Sequence, residues 1–470
     1  MSSESRILLA FAAAVLAGCA KYVPPEPPLV PPPDQWSRAT GSASVDSQWW
    51  MRFGDPQLNG LVAEALAKNV DIRLAASRLR EARAVASIQG ASQLPTLDLA
   101  ATGARARTIS PVNGLPYEAT SHQTQFQASY ELDVWGRVDA TVEGAKAATL
   151  SAAAQRDAVA LSIVATLADT YFSLLRVDAQ LAIARQTLGT RERSLALMRS
   201  RELRGQSSAL ERAQSEAELH NTAQAIPALT QTRERLLASL NVLLMRPPGD
   251  IRRGVLKDLL MKPELPPGGL PSELLRRRPD IYAAEADLMA SDAQLAAARA
   301  QLLPSMRITG TLGRAGSTIL HSGPFTVWSL GGSVLAPIFN GGRLRAQVTI
   351  ADTHRERALF VYERAVMSAF SEVETQLGGL ENTEAQLLSA RAEEAALKDA
   401  LRIATRRYQA GYASFLDQLL AERNLFLAEQ NVAALSAGVF QAEVALYRAL
   451  GGGWEVDRAT AETLATGLVP

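Results

Sequence analysis

The 470-residue chain is long enough for two or three ordinary domains, and its basic and acidic side chains balance at 48 each. That balance leaves no basic field for nucleic acid, and 6% aromatics beside abundant alanine suit close helix packing better than a mixed α/β core. The single cysteine, Cys19, excludes an internal disulfide and a cysteine-rich metal site.

Arg6 is the only strong positive charge ahead of an apolar run at residues 7–16. The run is too short to cross a bilayer but suits a signal-peptide core. Leu16-Ala17-Gly18-Cys19 follows and resembles a bacterial lipobox, in which the cysteine is acylated and becomes the first mature residue. The alternative is an ordinary signal peptide cut nearby, with Cys19 incidental. Residues 1–18 thus read as signal peptide and 19–52 as a lipidated N-terminus and linker. Within the linker, YVPPEPPLVPPP at 22–33 favours a stiff polyproline spacer. Beyond Cys19 the best apolar stretch, 158–175, is broken by Asp169 and several hydroxyls. No transmembrane helix is expected there, so any membrane crossing must be β.

A first repeat is expected over 53–249. It opens at Phe53-Gly54-Asp55-Pro56 with a helix to about Ser92, apolar on one face through Leu58, Leu61, Val62, Ala65 and Leu66. Pro95 ends it. Residues 96–105 alternate, with Leu97, Leu99, Ala101 and Gly103 on one face. After a loop with Pro111, Asn113-Gly114 and Pro116, residues 125–134 alternate again, with Phe126, Ala128, Tyr130, Leu132 and Val134 together. Gly136 starts a helix to about Arg204, the turn at 205–208 leads into a return helix to about Leu244, and Pro247-Pro248-Gly249 breaks it.

A second repeat, 268–453, copies this plan before a C-terminal tail at 454–470. A helix over 271–303 stops at Pro304. Strands at 305–313 and 326–335 carry Met306, Ile308, Gly310 and Leu312, then Trp328, Leu330, Gly332 and Val334, on one face each, around a Gly/Ser/Pro loop at 314–324. Gly341-Gly342 open the second long helix, which ends near Ala410. The last helix runs to Leu450 and is capped by Gly451-Gly452-Gly453. Leu167, Leu174, Leu181, Leu188 and Leu195 form a heptad stripe, and 206 positions on stand Val373, Leu380, Leu387, Glu394 and Leu401. Gly205 and Gly411, Ser208 and Ser414, and Glu216 and Glu422 keep the same offset of 206. Each long helix should span roughly 68 residues, about 100 Å, and must pack sideways on others.

Each half therefore supplies a hairpin of two amphipathic strands, about 9–11 residues each, the length that crosses a bilayer when tilted. Four strands cannot close a barrel, and unpaired edges are not tolerated in lipid. An oligomer would resolve this, with eight strands from a dimer or twelve from a trimer. The soluble alternative is two small hairpins capping a helical bundle.

The strings FGDP, LVAEALAKNVDIRLAASRLREARA, RRRPDIYAAEADLMASDAQLAAARAQLLPS, WSLGGSVLAPIFNGGRLRAQV and RYQAGYASFLDQLLAERNLF resemble the TolC-like outer membrane efflux proteins. They are closest to the lipoprotein branch that serves resistance-nodulation-division pumps, and the likeness runs from Cys19 to about Gly453. It implies a mainly α fold with a membrane β-barrel: a homotrimer with four strands per chain in a twelve-stranded barrel, continuous with a periplasmic tunnel of long helical hairpins. It also implies an outer-membrane exit channel working with a periplasmic adaptor and an inner-membrane pump. The alternative within the same fold is the duct of a type I protein-secretion system. By the same resemblance, Ala20 after Cys19 favours the outer membrane.

The resemblance assigns adaptor docking to the two tips, through Arg204, Gly205 and Ser208 and through Tyr408, Gly411 and Ser414. It places an aperture at Leu416, Asp417 and Leu420. Three copies of Asp417 would make a small acidic ring favouring cations, between apolar collars able to gate by dewetting. Many relatives carry a second Asp where this chain has Leu420, which weakens a double ring. The competing role for Asp417 is an ordinary helix-start carboxylate. Trp135 and Phe339 each join a strand to a long helix and suit either the membrane interface or the packed corner. Arg276-Arg277-Arg278-Pro279-Asp280 reads as helix-start structure and ion pairing.

Chemistry finds little support. His122, His220, His321 and His354 lack metal-ligand spacing. Gly310, Gly313 and Gly316 lack a Walker lysine and open no helix. The chain is expected not to be an enzyme and to hold no cofactor or metal beyond a lipid on Cys19.

Overall fold

Two helices of 67 residues organise the molecule, as seen in a computed structural model that describes residues 22–23, 31–33, 35–38, 45–109, 114–256, 271–318 and 323–454. Cys19, the signal-peptide run, most of the Pro-rich spacer, His321 and the 455–470 tail lie outside the described residues. After a short 3-10 turn (Trp49–Phe53), the elements are α1 (Pro56–Lys68), α2 (Val70–Ala91), β1 (Thr96–Ile109), β2 (Pro116–Leu132), α3 (Arg137–Leu203) and α4 (Ala209–Leu243). The second half repeats the order with α5 (Pro271–Arg277), α6 (Pro279–Ala300), β3 (Ser305–Ser317), β4 (Phe325–Leu335), α7 (Arg343–Gln409) and α8 (Phe415–Ala449).

The heptad stripes are the seams of this body. Leu167, Leu174, Leu181 and Leu195 are buried, as are Val373, Leu380 and Leu387. At the fourth position of the second stripe Glu394 takes a seam place and pairs with Lys398 one turn on. Near its start α3 packs tightly on α6, where a Cβ on Gly144 would meet Ala293 at 3.3 Å. Further along, Gln180 and Gln430 exchange side-chain to backbone bonds that join α3 to α8. Along its length α3 thus packs on α2, α4, α6 and α8, and α7 packs on α6 and α8.

The single helices expected at 53–92 and 271–303 are each broken in two, for one physical reason. Asn69 caps α2 through bonds from the Asp71 and Ile72 amides, and its own amide donates to the Leu243 carbonyl at 3.0 Å, where α4 ends. Arg278 does the matching work in the second half. Its guanidinium grips Asp280 with two bonds (3.0 and 2.8 Å), Glu372 at 2.9 Å and the Ala449 carbonyl at 2.8 Å, where α8 ends. The half-length helices therefore meet nearly end to end, and carbonyls left over at one helix terminus are satisfied by the start of another. Gly451 is required here: its φ is 86°, and a Cβ would lie 1.9 Å from the Arg277 carbonyl oxygen.

Midway along the body lies an aromatic core. Trp49 stacks on Tyr447 with centroids 5.2 Å apart, and Phe172 on Phe440 at 5.0 Å, with Phe53 edge-on to the second pair. Tyr171 donates its hydroxyl proton to Asp55, the α1 cap, and accepts from the Gly254 amide at 2.8 Å. By length and composition α3 is apolar enough to cross a membrane, where the pattern of charges and hydroxyls points to no such span. Its apolar residues Val164, Leu167, Ala168, Phe172 and Leu175 are instead buried in this core.

The four strands form one antiparallel sheet in the order β1-β2-β3-β4. They run to 14, 17, 13 and 11 residues, so three exceed the expected length. Pro116, expected in the loop, is the first residue of β2, a place where its missing N–H costs no ladder bond. Residues 314–317, also expected as loop, pair with 121–124 of β2.

Candidate functional site: an open sheet and two helical tips

The register puts the predicted apolar strand residues on one face, except Val134, which falls in the turn after β2. Leu99 pairs with Phe126, Phe126 with Leu312, and Leu312 with Trp328. Leu97, Leu99, Phe126, Leu312, Trp328 and Leu330 are all more than half exposed. The opposite face carries Asp98, Gln123, Gln125, Gln127, Arg307, Thr309 and Thr311, since side chains alternate along a strand. β1 and β4 are each paired on one side only. A sheet that shows solvent a continuous apolar face and two open edges is incomplete in water.

The sheet joins the helices at a tied corner. Trp135 donates from Nε1 to the Pro304 carbonyl at 2.7 Å, and Arg137 grips Glu131 at 2.7 Å. Phe339 and Ile338 are about nine-tenths exposed. The two aromatics thus divide the roles that sequence left open: Trp135 fastens the corner and Phe339 projects from it.

At the far end, both helical hairpins close by the same device. Gly205 (φ 68°) and Gly411 (φ 78°) turn left-handed. Gln206 then donates to the Arg201 carbonyl, and Tyr412 to the Arg407 carbonyl, both at 2.8 Å. Ser208 and Ser414 cap the return helices in capping boxes with Glu211 and Asp417. Arg204, Gly205, Ser208, Gly411 and Ser414 are exposed, and Tyr408 is half-buried. Leu203, Leu210 and Tyr412 beside them are exposed apolar groups.

Leu416, Asp417 and Leu420 share the first turns of α8 and are all exposed. The Asp417 carboxylate accepts from the Ser414 amide at 3.0 Å and hydroxyl at 2.9 Å, so it is a helix-start group at the least.

Two links between the repeats carry no sequence signal of their own. Arg201 of α3 donates to the Tyr408 hydroxyl at 3.1 Å and lies 5.5 Å from its ring centre, while Tyr408 packs on Phe415. Higher up, Arg191 is buried, bonded to the Glu218 carboxylate at 2.9 Å and to Thr222, and seated over the Phe426 ring. Burial pulls its guanidinium below the ordinary value, against the opposing pull of Glu218 and Glu422. Both partners lie in distant helices, which is why inspection of neighbours in the chain misses them. Among the described residues no group of three or more His, Cys, Asp or Glu is placed to hold a metal.

Comparison with known proteins places this geometry. A family model described as outer membrane efflux protein matches residues 61–244 and 270–452. The pyoverdine export outer membrane protein OpmQ of Pseudomonas putida is 33% identical, over 95% of this chain and 97% of its own length. The antibiotic efflux pump outer membrane protein ArpC, also of Pseudomonas putida, is 32% identical over 96% of both. The solved outer-membrane channel OprN superposes with a TM-score of 0.85 at 30% identity, covering 92% of this chain and 99% of its own.

Proposed function

The chain belongs to the outer membrane efflux protein family, and on that premise we propose that three copies join their sheets into a twelve-stranded barrel, the passive exit duct of a tripartite efflux pump. One observation carries the assembly: a four-stranded sheet with two unpaired edges and an exposed apolar face. In hydrocarbon each unmet backbone group costs several kcal/mol. β4 of one copy runs antiparallel to β1 of the next, so each edge satisfies its neighbour and closure removes all edges. The apolar face then meets lipid and the polar face lines water. The helical body continues that bore into the periplasm.

The remaining roles follow from position. The exposed tips around Gly205 and Gly411, flanked by Leu203, Leu210 and Tyr412, offer a docking surface to a periplasmic adaptor, through which an inner-membrane resistance-nodulation-division pump supplies the energy. Threefold copies of Leu416, Asp417 and Leu420 form the narrow aperture, where a ring of carboxylates favours cations and apolar collars dewet. An acyl group on Cys19 anchors the chain; Tyr22, three residues on, bonds Asp139 near the sheet corner at 3.0 Å, which supports a membrane-level anchor. The names of relatives, one for pyoverdine export and one for an antibiotic efflux pump, support a small-molecule cargo over a secreted protein.

Planar bilayers test the reading. The mature protein should migrate as a trimer in detergent and give discrete single-channel conductance. A chain that stays monomeric in plain buffer and conducts nothing would overturn it.

A further inference from the structure

Above the apolar band the outward face of the sheet turns cationic. On β2 the band runs from Leu132 to Thr124, about 27 Å of strand at ~3.4 Å per residue. A tilt of about 40° reduces this to roughly 21 Å across the bilayer, close to the ~25 Å apolar band of such barrels. Arg314 stands opposite Thr124, at the upper limit of that band. One row further His122 pairs with Gly316, and its ring lies over that glycine, where a Cβ would come 2.5 Å from Nε2. Arg105 and Arg107 occupy the next outward positions of β1, paired with Thr120 and Glu118. All four side chains are exposed.

The opposite face at the same level carries no charge: Ala104, Ala106 and Thr108 on β1, Tyr117, Ala119, Ser121 and Gln123 on β2, Ala315 and Ser317 on β3, Val327 on β4. A wet extension beyond the membrane would have no reason to sort its charges onto one side. Among the described residues Glu118 is the one outward acid here, and it is taken by Arg105 at 2.7 Å. Arg107 and Arg314 have no ion-pair partner among the described residues.

We propose that Arg314 beside His122, and Arg107 about 20 Å further along the strands, form an outward-facing ladder for the separate phosphate groups of a glycolipid in the outer leaflet of the membrane. The inference rests on the barrel reading above, which fixes which face meets lipid. Planar guanidinium groups pair with phosphate through two parallel bonds. The three copies would set a cationic girdle at headgroup level, fixing the depth of the barrel as well as binding lipid.

The test uses the full-length protein purified from outer membranes in detergent, with bisphosphorylated lipid A, fully dephosphorylated lipid A and phosphatidylglycerol as probes, read by native mass spectrometry of the trimer. Wild type should hold bisphosphorylated lipid A at least tenfold more tightly than the dephosphorylated form. The double variant R107Q/R314Q should lose that tenfold preference while keeping trimer and conductance. R185Q/R357Q, which removes the same charge from exposed positions on α3 and α7, should retain it. The proposal fails if R107Q/R314Q binds as wild type does, or if both double variants weaken equally. It also fails if phosphatidylglycerol binds wild type as tightly as lipid A, since that shows a general anionic surface. A wild-type chain that neither trimerises nor conducts would sink the channel reading itself, a result separate from any lipid preference.

Discussion

The helical body hides its large apolar side chains and the sheet displays them. Phe172 and Phe440 are almost fully buried, whereas Trp328 and Leu330 are each 75% exposed. Both sets arise from regular spacing, the heptad in α3 and α7 and alternation in β1–β4. What differs is the medium each face answers to. The body completes its core within one chain, and the sheet leaves an apolar face uncovered and two edges unpaired.

The largest effect comes from charging the displayed face. In a soluble reading Leu330→Arg is a surface change worth no more than about 0.5 kcal/mol. In the proposed barrel it faces lipid at mid-strand in three copies and should cost about 2–4 kcal/mol in each. We expect the L330R protein to lose the detergent-resistant trimer and all conductance. Trimer and conductance at wild-type levels would mean that this face does not meet lipid.

The reverse experiment strikes the hidden set. Phe172→Ala removes a ring from the stacked core and should cost about 3–5 kcal/mol, read as a lower urea midpoint of the body. Because the lesion is far from the strands, bilayer insertion of the surviving trimers should be unchanged. Loss of insertion with an unchanged midpoint would invert the comparison.

Much of this division is legible in the chain. The 206-residue offset and the two heptad stripes locate the long helices to within a residue or two, and the alternation of Leu97 to Gly103 and Met306 to Leu312 assigns the strand faces. The helix breaks are not legible, because Asn69 and Arg278 at the breaks are held by donating to the carbonyls of Leu243 and Ala449, more than 170 positions away. The upper part of β1 is missed because the alternation reverses its phase there: Arg105 and Arg107 fall on the face that carries Leu97 and Leu99 lower down. The tip turns are readable from Gly205 and Gly411, but the Arg201–Tyr408 bond spans 207 positions. Leu416, Asp417 and Leu420 are exposed on the first turns of α8, and the aperture role proposed for them exists only among copies.

A half-buried acid offers a gentler probe of the body. Burial, and then the neighbouring Glu384, push the Glu443 carboxyl from 4.5 up to about 7, with Arg52 opposing. The neutral acid is the form the fold accepts. Its contribution is therefore fully present below about 4.5, falls as pH rises through about 7, and is lost above that. A shift of this size corresponds to at most about 3 kcal/mol. Urea midpoints at pH 5 and pH 8 should differ in wild type, with pH 5 the more stable. Glu443→Gln should flatten that difference; an equal slope in both proteins would remove Glu443 as its source.

The smallest effect separates two roles of one residue at the tip. As a cap partner Asp417 contributes through bonds to Ser414 that are local to one chain, worth about 1 kcal/mol. As a member of a threefold ring it acts through charge, and its effect is electrical. Asp417→Asn keeps a side-chain oxygen that accepts from the Ser414 amide but removes three charges from the aperture. Ser414→Ala removes the hydroxyl of the cap and leaves the charges. A ring predicts that D417N changes cation selectivity and single-channel conductance with little change in melting temperature, while S414A lowers the melting temperature slightly at unchanged conductance. If D417N and wild type conduct alike in every salt, the carboxylate is a helix cap alone, and this tip belongs wholly to the self-contained half of the comparison.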